Sequence, residues 1–275
     1  MNTANTAHPE GEIRIVLVGT QHPGNIGSAA RAIKTMGLRR LVLVAPERYP
    51  HADAVAMAAG ADDVLDSAGI VGSLAEAVSD CALVIGCTAR SRRIQLEELS
   101  PRAGAARLLD AQAGGAEVAL VFGRERTGLD NDELQLCHAA VHIPANPDYS
   151  SLNLAAAVQV LAYELRVATL QRGAPSAGVA GGHGDGSGEG GGDGRARRDP
   201  LASHAQLEGF FGQLGDTLDA IDFHKGRAPQ SALRKLRRIF LRCGMDEREV
   251  RLLRGVLADA QRMARLARGT GGGEP

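Results

Sequence analysis

The chain has 275 residues, 44% of them apolar, and 31 Lys and Arg against 32 Asp and Glu, for a net charge of −1. That is room for one ordinary domain and a smaller one around a globular core. Cys81, Cys87, Cys137 and Cys243 show no CxxC spacing, Met1–Glu12 is polar with no apolar stretch, and no apolar run nears the roughly 20 residues of a membrane span. A disulfide scaffold, a signal peptide and a membrane anchor are therefore not expected, and the composition predicts a soluble, cytoplasmic protein with reduced thiols.

The near-neutral total hides an asymmetry. Residues 1–170 carry 14 cations against 19 carboxylates, whereas residues 204–268 carry 13 against 8. A basic appendage on an acidic body suggests a polyanionic partner for the appendage, although a charged helical face that only keeps it soluble has the same composition.

Residues 1–11 read as a loose tail. Ile13–Val18 is a buried-strand run that ends in Gly19-Thr20-Gln21-His22-Pro23-Gly24-Asn25-Ile26-Gly27-Ser28, and a helical pattern follows to Gly37. Strand, glycine-rich turn and helix together present backbone N–H groups to a ligand. A P-loop is excluded because Asn25-Ile26 stands where Lys and Ser/Thr are needed, and the GxGxxG dinucleotide pattern is absent. A glycine turn for close packing remains open.

Arg40–Ala45 is the next strand, Pro46–Ala59 turns into an Ala-rich helix closed by Gly60, and Leu74–Val78 is a short helix. Ala82–Ile85 is a third strand, followed by Cys87-Thr88-Ala89-Arg90-Ser91-Arg92-Arg93; small residues at a strand's carboxyl end are where open α/β sheets bind ligands. Read alone, Arg90, Arg92 and Arg93 also fit an exposed charged loop. Glu117–Phe122 is another buried strand, feeding Gly123-Arg124-Glu125-Arg126-Thr127-Gly128-Leu129 and a helix over Asp130–Cys137. Gly123 permits close approach of backbone to ligand, and Glu125 is a candidate to orient an arginine by ion pairing. His138 and His142 are four apart beside Cys137, yet Ala139–Ile143 reads as a strand, on which that spacing builds no chelate, so no metal is predicted.

Pro144 ends that strand, two prolines extend the loop, and Ser150-Ser151 stands where a helix N-cap belongs. Ala155, Ala156, Val158, Leu161, Ala162 and Leu165 continue at helical spacing. The free N–H groups of such a helix start can hold a carboxylate or phosphate, but local physics alone favours an ordinary capped strand–loop–helix.

From 171 to 203 the composition changes to a flexible linker, built mainly of Gly with Asp, Glu, Ser and His over Gly178–Gly194. Ser203 is placed to cap a helix with Leu207, Phe210, Phe211, Leu214, Leu218 and Ile221 in one stripe. Pro229 opens a second, with Leu233, Leu236, Ile239 and Phe240 facing inward, and Asp246 with Glu249 opens a third through Val250, Leu253, Val256, Leu257 and Ala260. From His224 to Met245 there are seven cations and no carboxylate. Arg234, Arg238 and Arg242 stand at i, i+4 and i+8, suited to tracking phosphates, while docking of the bundle on the body is the competing use. Residues 269–275 form a fraying tail.

Three of these stretches, in this order, resemble the motifs of the SPOUT superfamily, the trefoil-knotted methyltransferases that use S-adenosylmethionine. Asn25 followed six residues later by Arg31 is similar to the first, Phe122-Gly123-x-Glu125-x-x-Gly128-Leu129 to the second, and Pro144-x-x-Pro147-x-Tyr149-Ser150-Ser151-Leu152-Asn153-Leu154 to the third. The nearest resemblance is to the TrmJ group, which methylates the ribose 2′-oxygen at tRNA position 32. It covers residues 13–170 closely and the basic tail more loosely.

The resemblance implies an α/β fold: a parallel sheet flanked by helices with a C-terminal trefoil knot over 12–170, then a small helical domain over 204–268. It implies Arg31 as catalytic, with Asn25, Glu125, Ser151 and Asn153 supporting the geometry. The methyl donor would lie on Cys87, Thr88, Ala89, Gly123, Ile143, Ser150, Ser151 and Leu152, with no metal. RNA would face Arg90, Arg92 and Arg93 and, on the tail, Arg234, Arg238 and Arg242. The expected partners are tRNA and a second copy of the chain, with no role for DNA or membrane.

Overall fold

A computed structural model describes residues 13–89, 96–173, 199–225 and 229–270. Seven strands, β1 (Arg14–Val18), β2 (Leu41–Val44), β3 (Gly69–Val71), β4 (Leu83–Cys87), β5 (Glu97–Leu99), β6 (Val118–Phe122) and β7 (Ala139–Val141), form one sheet. Its order is β3-β2-β1-β6-β4-β7-β5, and every pairing is parallel. The chain therefore lays β1 to β3 outward to one edge and starts the other half with β4 and β5. It then inserts β6 between β1 and β4, and β7 between β4 and β5.

Parallel strands need crossovers, and helices supply most of them. They are α1 (Pro23–Thr35), α2 (Ala52–Ala58), α3 (Asp62–Asp66), α4 (Leu74–Ala77), α5 (Pro101–Ala113), α6 (Asn131–Gln135) and α7 (Leu154–Gly173). Period-2 alternation divides the strand residues between two apolar layers. Ile15, Leu17, Leu43, Ile85 and Leu120 pack with α1, α2, α5 and α7, while Val16, Val18, Val84, Ala119 and Val121 pack with Leu74, Val78, Leu134 and Cys137. Gly27 lets α1 and α2 touch, since a Cβ there would lie 2.0 Å from the Ala54 carbonyl oxygen.

At the foot of β1, Arg14 is 5% exposed and is held by both Asp80 oxygens at 2.7 Å and by the Ala77 carbonyl. A buried guanidinium persists only when paired and hydrogen-bonded in this way.

Three further helices follow, α8 (His204–Ala220), α9 (Pro229–Cys243) and α10 (Glu247–Thr270). The Ser203–Gln206 and Asp246–Glu249 capping boxes start α8 and α10 where the sequence places them. Leu207, Phe210, Phe211, Leu214, Leu218, Leu241 and Met245 form the core, with Phe210 edge-on to Phe240 at 4.9 Å.

This bundle docks on the body. The amides of His204 and Ala205 donate to the carbonyls of Cys81 and Ser79, both at 2.8 Å, and Arg237 Nε donates to the Gln135 carbonyl at 3.1 Å. Arg237 also grips Glu208 through two nitrogens and lies 4.6 Å above the Phe211 ring.

Several sequence expectations change. The short β3, β5 and α3 carry no period long enough to register, and α5, though 13 residues long, buries only the small face of Gly104, Ala105, Leu108 and Leu109. The N-cap of α7 is Asn153, whose Oδ1 accepts from the Ala155 and Ala156 amides at 2.9 and 3.4 Å, so Ser150 and Ser151 lie ahead of the helix. Ile221, Ile239 and Val256 are 48%, 46% and 59% exposed rather than inward, because a three-helix bundle buries only a narrow stripe of each helix; Leu241 occupies the interior instead. Within the predicted linker, Pro200 and Ala202 are bonded to Glu247 and Met245. Arg90, Arg92 and Arg93 lie outside the described residues, as does most of the glycine-rich stretch.

At the seam His138 is buried, its Nδ1 accepting from the Val84 amide at 3.0 Å. Burial, with His204, Arg107 and Arg237 nearby, pushes its pKa down to about 3, and burial lowers that of His204 as well. Both rings are neutral at pH 7 in the folded protein; the His138 contribution is complete above about pH 6.5 and falls as pH drops toward 3. Urea titrations between pH 7 and 4 are expected to show His138→Asn losing stability less steeply than the parent, by about 1.4 kcal/mol per pH unit below 6.5. Parallel slopes would refute this.

Candidate active site

The carboxyl ends of β4, β6 and β7 converge on a cavity of about 460 Å3, within the range of small-molecule sites. Cys87, Thr88 and Ala89 line it from β4, Phe122 to Leu129 from β6, and Ile143, Ser150, Ser151 and Leu152 from the segment after β7, with Leu154 and Ala157 of α7 behind. The sheet order explains the meeting: β6 and β7 flank β4, so three loops distant in sequence leave adjacent strands.

The 123–129 loop is folded tightly on itself. A Cβ on Gly123 would sit 2.1 Å from both the Gly128 carbonyl carbon and the Leu129 nitrogen, and the Gly128 amide donates to the Arg124 carbonyl at 2.8 Å. The glycine thus serves close approach of the chain to itself. Arg124, in the cavity wall, donates one Nη1 to both Glu133 oxygens, at 2.9 and 3.0 Å, on the α6 capping box. Gly19, at φ +57°, leaves room for that arginine, whose Nε would be 2.8 Å from an added Cβ.

Glu125 orients no arginine among the described residues. Its Oε1 accepts from Asn25 Nδ2 at 2.9 Å and from the His22 amide at 3.1 Å, and its Oε2 from the Gln21 amide at 3.1 Å. Burial alone would raise the carboxyl pKa, but these bonds outweigh it and hold the group below its ordinary value, ionised. Asn25 Oδ1 in turn accepts from Asn153 Nδ2 at 3.0 Å, and Asn153 caps α7. One network so joins the start of α1, the β6 loop and the start of α7.

Arg31 is elsewhere. Six residues along α1 turn it about 120° and carry it about 9 Å from Asn25, so the two do not share a face. It is exposed and does not line the cavity; among the described residues no bond from its guanidinium is seen. Arg126 and Thr127 do line the cavity and are exposed, positions that sequence reasoning passed over because the motif marks only Gly, Glu and Gly-Leu. Burial pushes the Cys87 thiol up to about 12, so it stays protonated and is no nucleophile. Among the described residues no group of three or more His, Cys, Asp or Glu could hold a metal, and no helix is long and apolar enough to cross a membrane.

The model of the SpoU rRNA Methylase family matches residues 12–163, more than half of the chain. The chain belongs to that family.

Outside the SpoU methylase region, residues 205–269 match the C-terminal domain of the tRNA methyltransferase TrmJ. The chain is 46% identical over 254 residues to the tRNA (cytidine/uridine/adenosine-2′-O-)-methyltransferase TrmJ of Pseudomonas aeruginosa, spanning 92% of this chain and 95% of that one. It is 47% identical over 249 residues to the tRNA (cytidine/uridine-2′-O-)-methyltransferase TrmJ of Salmonella typhimurium, spanning 90% and 96%. The crystal structure of TrmJ from Z. mobilis superposes with a TM-score of 0.72 at 33% identity, over 90% of this chain and 97% of that one. A probable methylase family protein from Haemophilus influenzae gives 0.56 at 40% identity, over 94% and 99%.

The carboxylate network generates a direct test. Glu125→Gln puts an NH2 where an oxygen accepts from a backbone N–H and is expected to cost about 1–3 kcal/mol in urea unfolding at pH 7. A change within about 0.5 kcal/mol, the range of an ordinary surface substitution, would show that the network does not hold the loops.

Proposed function

We propose that the protein transfers a methyl group from S-adenosylmethionine to the ribose 2′-hydroxyl of cytidine or uridine at position 32 of tRNA. The observation that carries this is the cavity. Eight residues from three distant loops, Cys87, Thr88, Ala89, Gly123, Ile143, Ser150, Ser151 and Leu152, line it together. The near-full-length likeness to tRNA 2′-O-methyltransferases and the TrmJ-type C-terminal domain support tRNA over ribosomal RNA as the substrate.

The cavity suits the donor. Ile143, Leu152, Leu154 and Ala157 offer apolar surface, and Ser150 and Ser151 offer hydroxyls beside backbone polar groups. When bound, S-adenosylmethionine supplies an electrophilic methyl on a sulfonium. The ionised Glu125 keeps the α1 turn and the β6 loop in register and, through Asn25 and Asn153, the start of α7. Arg126, at the mouth, meets incoming phosphate.

The 2′-hydroxyl must lose its proton as the O–C bond forms. Cys87 is protonated and Glu125 is occupied by donors, so neither takes it. Arg31 is the candidate to align the hydroxyl with a neighbouring RNA phosphate, and the proton leaves through that network as the sulfonium S–C bond breaks. Its place outside the cavity supports a homodimer in which it serves the partner's site. Exposed Tyr163 and Leu170 on α7 fit such a contact. The insertion of β6 and β7 between earlier strands supports the trefoil knot. A soluble enzyme of the cytoplasm, with no metal and no DNA or membrane partner, completes the reading.

Unmodified tRNA, labelled donor and the full chain test it. Label is expected on the ribose at position 32, and Arg31→Ala is expected to lower kcat about 100-fold or more with donor affinity unchanged. Label at another nucleotide would overturn the position. The name of the Pseudomonas relative adds adenosine, so tRNAs with C, U and A at the site belong in the assay. No transfer to any tRNA would overturn the function.

A further inference from the structure

His138 and His142 stand four apart, and the structure puts them at opposite ends of the β4–β7 pairing. His138 Nδ1 accepts from the Val84 amide at 3.0 Å, whereas His142 Nδ1 lies 3.1 Å from the Thr88 carbonyl oxygen. Four residues of extended chain span about 13 Å, so the rings never meet. His138 belongs to the domain seam. His142 stands behind the cavity wall: it is not among the lining residues, yet its neighbour Ile143 and its partner Thr88 both are.

A carbonyl oxygen only accepts, so this contact fixes a hydrogen on Nδ1. Backbone bonds hold the same place. The Thr88 amide donates to the Val141 carbonyl at 3.0 Å, one step past the Cys87–Val141 pairing, and the His142 amide donates to the Leu99 carbonyl at 3.0 Å. The Thr88 amide belongs to the peptide plane between Cys87 and Thr88, and the Thr88 carbonyl to the next plane, between Thr88 and Ala89. The main chain of β7 thus orients the first plane, and the ring of His142 orients the second. A trans peptide is planar, with its N–H pointing opposite to its C=O. A ring that holds the Thr88 carbonyl therefore also sets the direction of the Ala89 N–H. Ala89 is an exposed residue of the cavity wall, and its amide has no hydrogen-bond partner among the described residues.

We infer that His142 is a positioning residue for the methyl donor: its ring fixes the Thr88–Ala89 peptide, which presents the Ala89 N–H to an acceptor atom of S-adenosylmethionine. The inference rests on the reading of the cavity as the donor's site. β4 ends at Cys87, and a peptide beyond a strand end is otherwise free to turn. Fixing it before the donor arrives removes that ordering from the cost of binding. Val141 and Ile143, on either side of His142, have no polar side chain that could do the same.

Calorimetric titration of the full chain with S-adenosylmethionine tests this, with steady-state methylation of tRNA alongside. Three variants sort the atoms of the ring. His142→Phe keeps a ring and removes both nitrogens. His142→Asn puts an NH2 near the place of Nδ1, and His142→Gln puts one near the place of Nε2. His142→Phe is expected to raise the Kd for the donor about tenfold, the scale of one hydrogen bond, and to raise KM for the donor in step. KM for tRNA and kcat at saturating donor should change less than about threefold. His142→Asn should return Kd to within about threefold of the parent, while His142→Gln stays as weak as His142→Phe. The Asn and Gln variants, close in bulk, carry the comparison even where Phe packs badly. Parent-like binding by His142→Phe overturns the inference, as does rescue by His142→Gln or none by His142→Asn. In each of these cases donor binding and methylation by the parent leave the methyltransferase reading standing. Failure of the parent to bind the donor overturns both.

Discussion

The carboxylate of Glu125 is the constraint on which the site depends. It follows β6, yet its oxygens are occupied by the Gln21 and His22 amides and by Asn25, at the start of α1. Asn25 passes the connection to Asn153, the cap of α7. A half-buried carboxylate survives because three donors replace its water, and the same donors keep it ionised. Without it, the turn before α1 would carry two amides with no acceptor.

Close approach of backbones is the second constraint. Gly123 lets the 123–129 loop fold back on itself, Gly19 admits the Arg124 side chain, and Gly27 brings α1 against α2. None of these places tolerates a Cβ, so the cavity's shape is set by absent atoms as much as by present ones. The loop is then rigid enough to present Arg126 and Thr127 at the mouth.

The cations divide into those that build and those that remain free. Arg14, Arg124 and Arg237 are bound by carboxylates and carbonyls, at the foot of the sheet, beside the cavity and at the domain seam. Arg31, Arg234, Arg238 and Arg242 have no carboxylate partner among the described residues. A guanidinium that neutralises a local carboxylate has little charge left for phosphate. The set without a carboxylate partner keeps its charge, so docking of the bundle through Arg237 does not consume it.

By itself the sequence determined five of the seven strands, most of the helices and the caps at Ser203 and Asp246, while the resemblance of its motifs to a known family pointed to the loops that line the cavity. Those features are local: apolar runs, glycine turns and capping spacings act over a few residues. The tertiary structure alone decided the rest. The sheet order places β6 and β7 beside β4, which no periodicity encodes, and so gathers three loops into one cavity. It gave Glu125 an asparagine and two amides in place of an arginine, and it moved the α7 cap from the serines to Asn153, because a hydrogen bond goes to the donor that packing brings within reach. It likewise made Arg237, which stands off the i, i+4, i+8 line of Arg234, Arg238 and Arg242, the cation that docks the bundle. Which face of a helix meets a neighbour depends on where that neighbour lies, and that is a property of the whole fold.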